Sequence, residues 1–222
     1  MDLTSVGAIG YRADGKAEAL LVLAHGAGAG QQHPFMTAMA KGFAARGIDV
    51  VTFDFPYMRD RRKVPDRAPV LEEAFQGVVT AARQWSAAPR FFIGGKSMGG
   101  RLATHLGAAH VDGLSGVVVF GYPLHPPGKP DQLRVQHLPS ITVPVLIVQG
   151  ERDTFGTPFE LKPALDSMTA PIEMHVVQGG DHSLVVKGRG REEVLGEVLD
   201  VATRWLGKTG DGRPETGDRR PR

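Results

Sequence analysis

A chain of 222 residues is long enough for one α/β domain with a full core, and 41% hydrophobic with 23% charged residues is the balance of a soluble globule, which excludes a disordered or fibrous chain. Cysteine is absent, which excludes disulfides, thiolate metal sites and a cysteine nucleophile. The net charge of +2 resides in the C-terminal tail, where from Gly207 onward five positive residues stand against three negative ones, so residues 1–206 balance to zero; the pI of 9.0 reads as a solvated tail, with a weak polyanion contact as the alternative, and no nucleic-acid partner is expected.

In chain order, the start (Met1-Asp2-Leu3-Thr4-Ser5) has neither the basic region nor the apolar core of a secretory signal. No apolar run reaches the length of a membrane span, so a cytoplasmic protein with no membrane partner is expected. Residues 6–12 and 19–24 read as strands, and Asp14-Gly15 between them predicts a hairpin with a tight turn. The second strand, Ala19-Leu20-Leu21-Val22-Leu23-Ala24, is apolar throughout, as a strand covered on both faces must be. It runs into His25-Gly26-Ala27-Gly28-Ala29-Gly30. A helix over 34–46 follows, opened by Pro34 and stopped by Gly47. Residues 48–53 form the next buried strand, ending at Asp54. Residues 58–69 are a polar loop in which Arg59, Arg61, Arg62, Lys63 and Arg67 stand against Asp60 and Asp66, and 70–87 read as a helix.

Residues 91–94 read as a short buried strand, and 98–109 as a helix with Leu102, Leu106 and Ala109 at helical spacing. Between them Gly95-Lys96-Ser97-Met98-Gly99 fits Gly-x-Ser-x-Gly, in which the serine occupies a strained strand-to-helix turn that exposes its hydroxyl. A side chain at Gly95 or Gly99 would collide with the neighbouring strand or helix. Strands over 114–120, 143–149 and 172–177 and helices over 158–168 and 191–206 complete the chain, the last helix carrying Val194, Leu195, Val198, Val201 and Leu206 on or near one face. Strands alternating with helices predict a mostly parallel central sheet with helices on both faces, in one domain over 1–206. Residues 122–142 are too short for a cap domain and at best form a lid loop. The tail 207–222, rich in Gly, Pro and charge with no apolar anchor, is expected to be disordered.

In such a sheet, active groups collect at the carboxyl ends of strands. Ser97 follows one strand, Asp153 lies four residues after the strand ending at Gln149, and His182 lies five after the strand ending at Val177. The order Ser, Asp, His is that of hydrolase triads built on parallel sheets. In this reading His182 takes the Ser97 proton, Asp153 orients the imidazole, and the amides of Met98 and Ala27 receive the oxyanion, with Gly26 and Gly28 as near alternatives to Ala27. Asp54 also ends a strand and is a rival acid, but it precedes the serine. Asp153 could instead cap the helix near Pro158, and His182 could merely bond its own Gly-rich loop. No zinc-type ligand spacing exists, so no metal or other cofactor is expected, and the Gly26–Gly30 loop lacks the Gly-Lys-Ser/Thr of a phosphate site.

Taken together, these motifs resemble those of a known family. Leu23-Ala24-His25-Gly26-Ala27-Gly28-Ala29, Asp54-Phe55-Pro56-Tyr57-Met58, Gly94-Gly95-Lys96-Ser97-Met98-Gly99-Gly100-Arg101, Gly121-Tyr122-Pro123-Leu124-His125-Pro126-Pro127-Gly128-Lys129, Gln149-Gly150-Glu151-Arg152-Asp153 and Gly180-Asp181-His182-Ser183 carry the resemblance, over about residues 18–206. They resemble the α/β-hydrolase-like proteins related to dienelactone hydrolases. Within these, they are similar to the type shared by a testis-expressed protein and a regulatory subunit of the NSL histone acetyltransferase complex. The resemblance implies an α/β-hydrolase fold, with Ser97 as nucleophile, Asp153 as acid and His182 as base. It departs from dienelactone hydrolases in having serine where they carry cysteine. The expected function is a serine hydrolase of a small-molecule ester or thioester; the alternative is a hydrolase-fold binding or scaffold protein without turnover.

For the mouth, Tyr57 and Tyr122 are expected to wall the substrate pocket together with His25, Gly26 and Lys96. The proline-rich stretch 123–130 is expected to be stiff, and the pocket shallow and open. The basic loop 59–67 reads either as a solvated, ion-paired brace or as a device that steers anionic esters toward Ser97.

Overall fold

The computed structural model describes residues 2–209. Seven strands form one sheet: β1 (Ala8–Tyr11), β2 (Ala19–Ala24), β3 (Ile48–Phe53), β4 (Phe91–Lys96), β5 (Leu114–Phe120), β6 (Val145–Gly150) and β7 (Ile172–Val177). Their spatial order is β1-β3-β2-β4-β5-β6-β7, and every pairing is parallel except that of β1 with β3. The helices are α1 (Pro34–Ala44), α2 (Pro56–Arg59), α3 (Ala68–Trp85), α4 (Met98–Ala108), α5 (Pro158–Asp166) and α6 (Arg191–Lys208).

Alternation along the strands builds two cores. Leu20, Val22 and Ala24 of β2 face α3, α4 and α5, where Phe75, Leu102, Leu106 and Leu161 are buried. Ala19, Leu21 and Leu23 face α1 and α6, where Phe35, Met39, Val198 and Trp205 are buried. The mostly parallel sheet with helices on both faces is thus the expected one. Residues 122–142 contain a single 3-10 turn, Leu138–Ser140, and no cap.

The hairpin expected of the first two strands does not form. β2 is a wholly buried strand whose two edges are taken by parallel partners, β3 and β4. β1 therefore zips onto the free outer edge of β3, with Ala8 opposite Phe53 and Tyr11 opposite Val50. The connection is fastened by the buried Asp49 carboxylate, which accepts from the Arg12 guanidinium at 3.0 Å and the Ala13 N–H at 2.9 Å. The turn at Gly15 exists, but it returns the chain across β3 rather than back along β1. The last helix continues two residues past Leu206, so the expected tail begins later; its part over 210–222 lies outside the described residues.

Chain direction reverses at the centre of this sheet: from β2 the chain builds outward to β3, and from β4 it builds the other way through β5, β6 and β7. The loops after β2 and β4 therefore part at a crevice on the carboxyl edge, where open α/β sheets hold their ligands.

Candidate active site

Ser97 stands at this crevice. Its backbone is left-handed, with φ 52° and ψ −116°, a conformation that costs a non-glycine residue about 1–3 kcal/mol. Hydrogen bonds hold it from both sides: Ser97 N–H donates to Phe120 C=O and Arg101 N–H to Ser97 C=O, each at 3.0 Å. Two glycines leave room for the turn. A Cβ on Gly95 would stand 2.5 Å from the Gly99 carbonyl carbon, and one on Gly99 2.5 Å from the Ala24 carbonyl oxygen. Met98 is the first residue of α4, where the helix offers its N–H no acceptor.

His182 arrives from the loop after β7. That loop folds around the Asp181 carboxylate, whose Oδ1 accepts the N–H groups of Ser183 (2.8 Å) and Val185 (2.9 Å). His182 Nε2 lies 2.8 Å from Ser97 Oγ, and its Nδ1 lies 2.8 Å from Asp153 Oδ2. A carboxylate only accepts, so the ring proton belongs on Nδ1 and the Nε2 lone pair faces the serine hydroxyl. Asp153 is buried, and its second oxygen accepts the Phe155 N–H at 2.8 Å. The three residues at three strand ends are thus gathered into one chain of hydrogen bonds.

Two residues that the sequence reading passed over support this chain. Gln149, the buried residue next to the end of β6, donates through Nε2 to Asp153 Oδ2 (2.9 Å) and to Gly156 C=O (2.7 Å), and accepts the Tyr122 N–H at 2.7 Å. A glutamine inside an otherwise apolar buried strand was the available signal, because such an amide needs partners. Phe155 stacks on the His182 ring, centroids 4.1 Å apart and planes 25° apart; no sequence pattern marks it.

Several expected pocket residues are elsewhere. His25 is fully buried and braces the backbone: Nδ1 meets Gly26 C=O at 2.7 Å, and Nε2 accepts the Phe55 N–H at 3.1 Å. Burial holds its pKa below the ordinary value, against the opposing effects of the Gly26 carbonyl and Asp54. Tyr57 and Tyr122 are also fully buried, because each hydroxyl finds a backbone carbonyl, Ala27 at 2.9 Å and Arg134 at 2.5 Å. Burial raises both phenols to about 12. Tyr57 thus anchors the loop that carries Ala27 instead of walling the pocket. Gly26, by contrast, does line the cavity, and it packs that loop against the serine, where a Cβ would be 3.6 Å from Ser97 Cβ. Asp54, the rival acid, is engaged by Gln31, whose N–H donates to it at 2.7 Å and whose Nε2 donates at 3.2 Å.

The cavity at Ser97 measures about 550 Å³. Ala27, Lys96, Ser97 and His182 line its polar end. Its apolar walls come from Phe35 and Met36 of α1, Leu184, Val185 and Val186 after β7, and Val194 and Leu195 of α6. Leu184 is driven inward by a left-handed backbone at φ 60°. Neither the proline-rich stretch 123–130 nor the basic loop 59–67 reaches this lining. In that loop Arg62 is paired with both Asp66 (2.7 Å) and Asp60 (3.2 Å). Among the described residues no group of three or more His, Asp or Glu side chains is gathered as metal ligands would be.

A family model described as an alpha/beta hydrolase domain matches residues 17–207. Solved structures share the fold. An alpha-beta serine hydrolase homologue from Coxiella burnetii is 18% identical, with 90% of each chain covered and a TM-score of 0.71. A dienelactone hydrolase from Anabaena variabilis is 18% identical over 91% of each chain, with a TM-score of 0.71. Est1E from Butyrivibrio proteoclasticus is 15% identical over 90% of this chain and 94% of that one, with a TM-score of 0.68.

Proposed function

The chain belongs to the alpha/beta hydrolase domain family, and we propose from that premise that it is a serine hydrolase of a carboxylic ester or thioester. The observation that carries the reading is the unbroken pair of 2.8 Å contacts from Asp153 through His182 to Ser97. His182 Nε2 takes the proton of Ser97 Oγ as that oxygen attacks the substrate carbonyl carbon. The negative charge passes to the carbonyl oxygen, which the Met98 and Ala27 amides receive. The Asp153 carboxylate holds the imidazole in the Nδ1–H tautomer and stabilises the imidazolium. Collapse breaks the bond to the leaving group, and the alcohol or thiol departs with the proton held by His182. Water, deprotonated by His182, then releases the acid and restores Ser97.

Fold relatives described as a serine hydrolase homologue and a dienelactone hydrolase are consistent with this chemistry. The elbow Gly94-Gly95-Lys96-Ser97-Met98-Gly99-Gly100-Arg101 supports kinship with the testis-expressed and NSL-subunit type in particular. A fluorophosphonate probe tests the proposal. Wild type is expected to be labelled on Ser97 and Ser97→Ala to remain unlabelled. Folded wild-type protein that takes no label would instead mark a hydrolase-fold scaffold. A series of p-nitrophenyl esters and matched thioesters of rising chain length then reads the bond type and how much of the apolar cavity the acyl chain fills.

A further inference from the structure

Lys96 is the residue before the nucleophile, and its position is unusual for an ammonium. Its side chain turns into the cavity wall beside Ser97, and its Nζ donates to the backbone carbonyl of His182. The Phe35 ring centroid lies 6.0 Å from Nζ, close enough for a weak cation–π contact. Gly121 leaves space for it: a Cβ there would stand 2.7 Å from Nζ. Two carboxylates act on this ammonium from neighbouring loops, Asp153 after β6 and Asp181 after β7. Asp153 is occupied by His182, Gln149 and the Phe155 N–H, and Asp181 by the Ser183 and Val185 N–H groups. Neither forms an ion pair with Lys96 among the described residues. The other ionisable groups lining the cavity are His33, His182, Arg189 and Arg191; no Asp or Glu lines it. Arg189 is paired with Glu193 and Glu197 outside the lining. A largely buried cation that keeps donor capacity and has no carboxylate in ion-pair contact is completed by an anion from the ligand.

We propose that Lys96 is an anion-recognition point within the substrate cavity, and that the preferred substrate carries a carboxylate a few bonds from the scissile carbonyl. This rests on the serine hydrolase reading and narrows its substrate class. Burial lowers the Lys96 pKa to about 8, with Asp153 and Asp181 opposing the shift, so the ammonium is charged at neutral pH and is lost as pH rises through that value.

Three unactivated esters of similar size test this in a pH-stat. Monoethyl glutarate carries the charge on the acyl side, the pentanoyl ester of glycolate carries it on the alcohol side, and ethyl pentanoate is the neutral reference. At pH 7 wild type is expected to favour one of the anionic esters over the reference by about tenfold or more in kcat/KM, the scale of one charge-assisted hydrogen bond. Which ester is favoured locates the carboxylate. Lys96→Met is expected to abolish the ratio. In wild type, with no variant needed, the ratio should decline above pH 8, and taking the ratio cancels pH effects common to all three esters. Absence of any anionic preference, or an equal loss on all three esters in Lys96→Met, would overturn the inference and leave Lys96 as a clamp on the His182 loop. Hydrolysis of none of the three by protein that still labels at Ser97 overturns it too, while the serine hydrolase reading stands. Folded wild type that does not label at all overturns both.

Discussion

The Ser97 backbone is held in a left-handed turn that its own side chain disfavours, and the His182 ring is fixed by contacts on three sides. Asp153 anchors Nδ1, Phe155 covers one face, and Ser97 Oγ meets Nε2. Asp153→Asn preserves the size of the acid yet can donate to Nδ1, which favours the wrong tautomer. Turnover is expected to fall by about ten-thousand-fold, the scale of the orienting acid in other triads, with the fold unchanged by circular dichroism. Near wild-type turnover in that variant would remove Asp153 from the acid role. Asp54 would not be its natural successor, because Gln31 already occupies both of its oxygens.

Among the elements, α5 has a consequence for the site because the loop that precedes it carries Asp153 and Phe155. The helix opens on a complete capping box: Thr157 Oγ1 accepts the Glu160 N–H at 3.3 Å, and Glu160 Oε2 accepts the Thr157 N–H at 2.8 Å. The Thr157 backbone and hydroxyl donors hold the Glu160 carboxyl below its ordinary range. Thr157→Ala is expected to lower stability by about 1 kcal/mol in urea unfolding. Turnover should change little, since the Asp153 bonds to Gln149 and Phe155 do not pass through the cap. A large loss of turnover at full stability would show that the cap positions the acid directly.

For the molecule as a whole, three partly or fully buried histidines make the fold acid-sensitive. Burial is the main cause in each case. It lowers His25 and His105, and, with repulsion from His105 and Arg101, it lowers His137 to about 4. Each takes up a proton more readily unfolded, where the pKa is near 6.5, than folded. Their contribution to stability is therefore fully present above pH 6.5 and is lost as pH falls toward 4. The urea midpoint is expected to drop between pH 7 and pH 5, and His137→Gln should flatten part of that slope. A midpoint constant over this window would contradict these shifts.

Local pattern and chain order were enough to determine the strands, most helix starts, the elbow glycines and the position of Ser97, Asp153 and His182 just after strand ends on one edge of the sheet. The reason is that these features depend on short-range sterics, on strand burial and on the rule that parallel strands present their carboxyl ends together. Boundaries were legible to within a few residues, as with β4, which continues to Lys96. Only the tertiary structure decided which edge β1 joins, since an edge strand is chosen by what the central strands leave unpaired. It also decided that His25, Tyr57 and Tyr122 are braces: a polar tip near a rim can face the cavity or a carbonyl behind it, and sequence does not encode that direction. The cavity itself is built by α1 on one side and, more than a hundred residues later in the chain, by the loop after β7 and α6 on the other. Their apolar faces read as ordinary core until the fold brings them around Ser97 and Lys96.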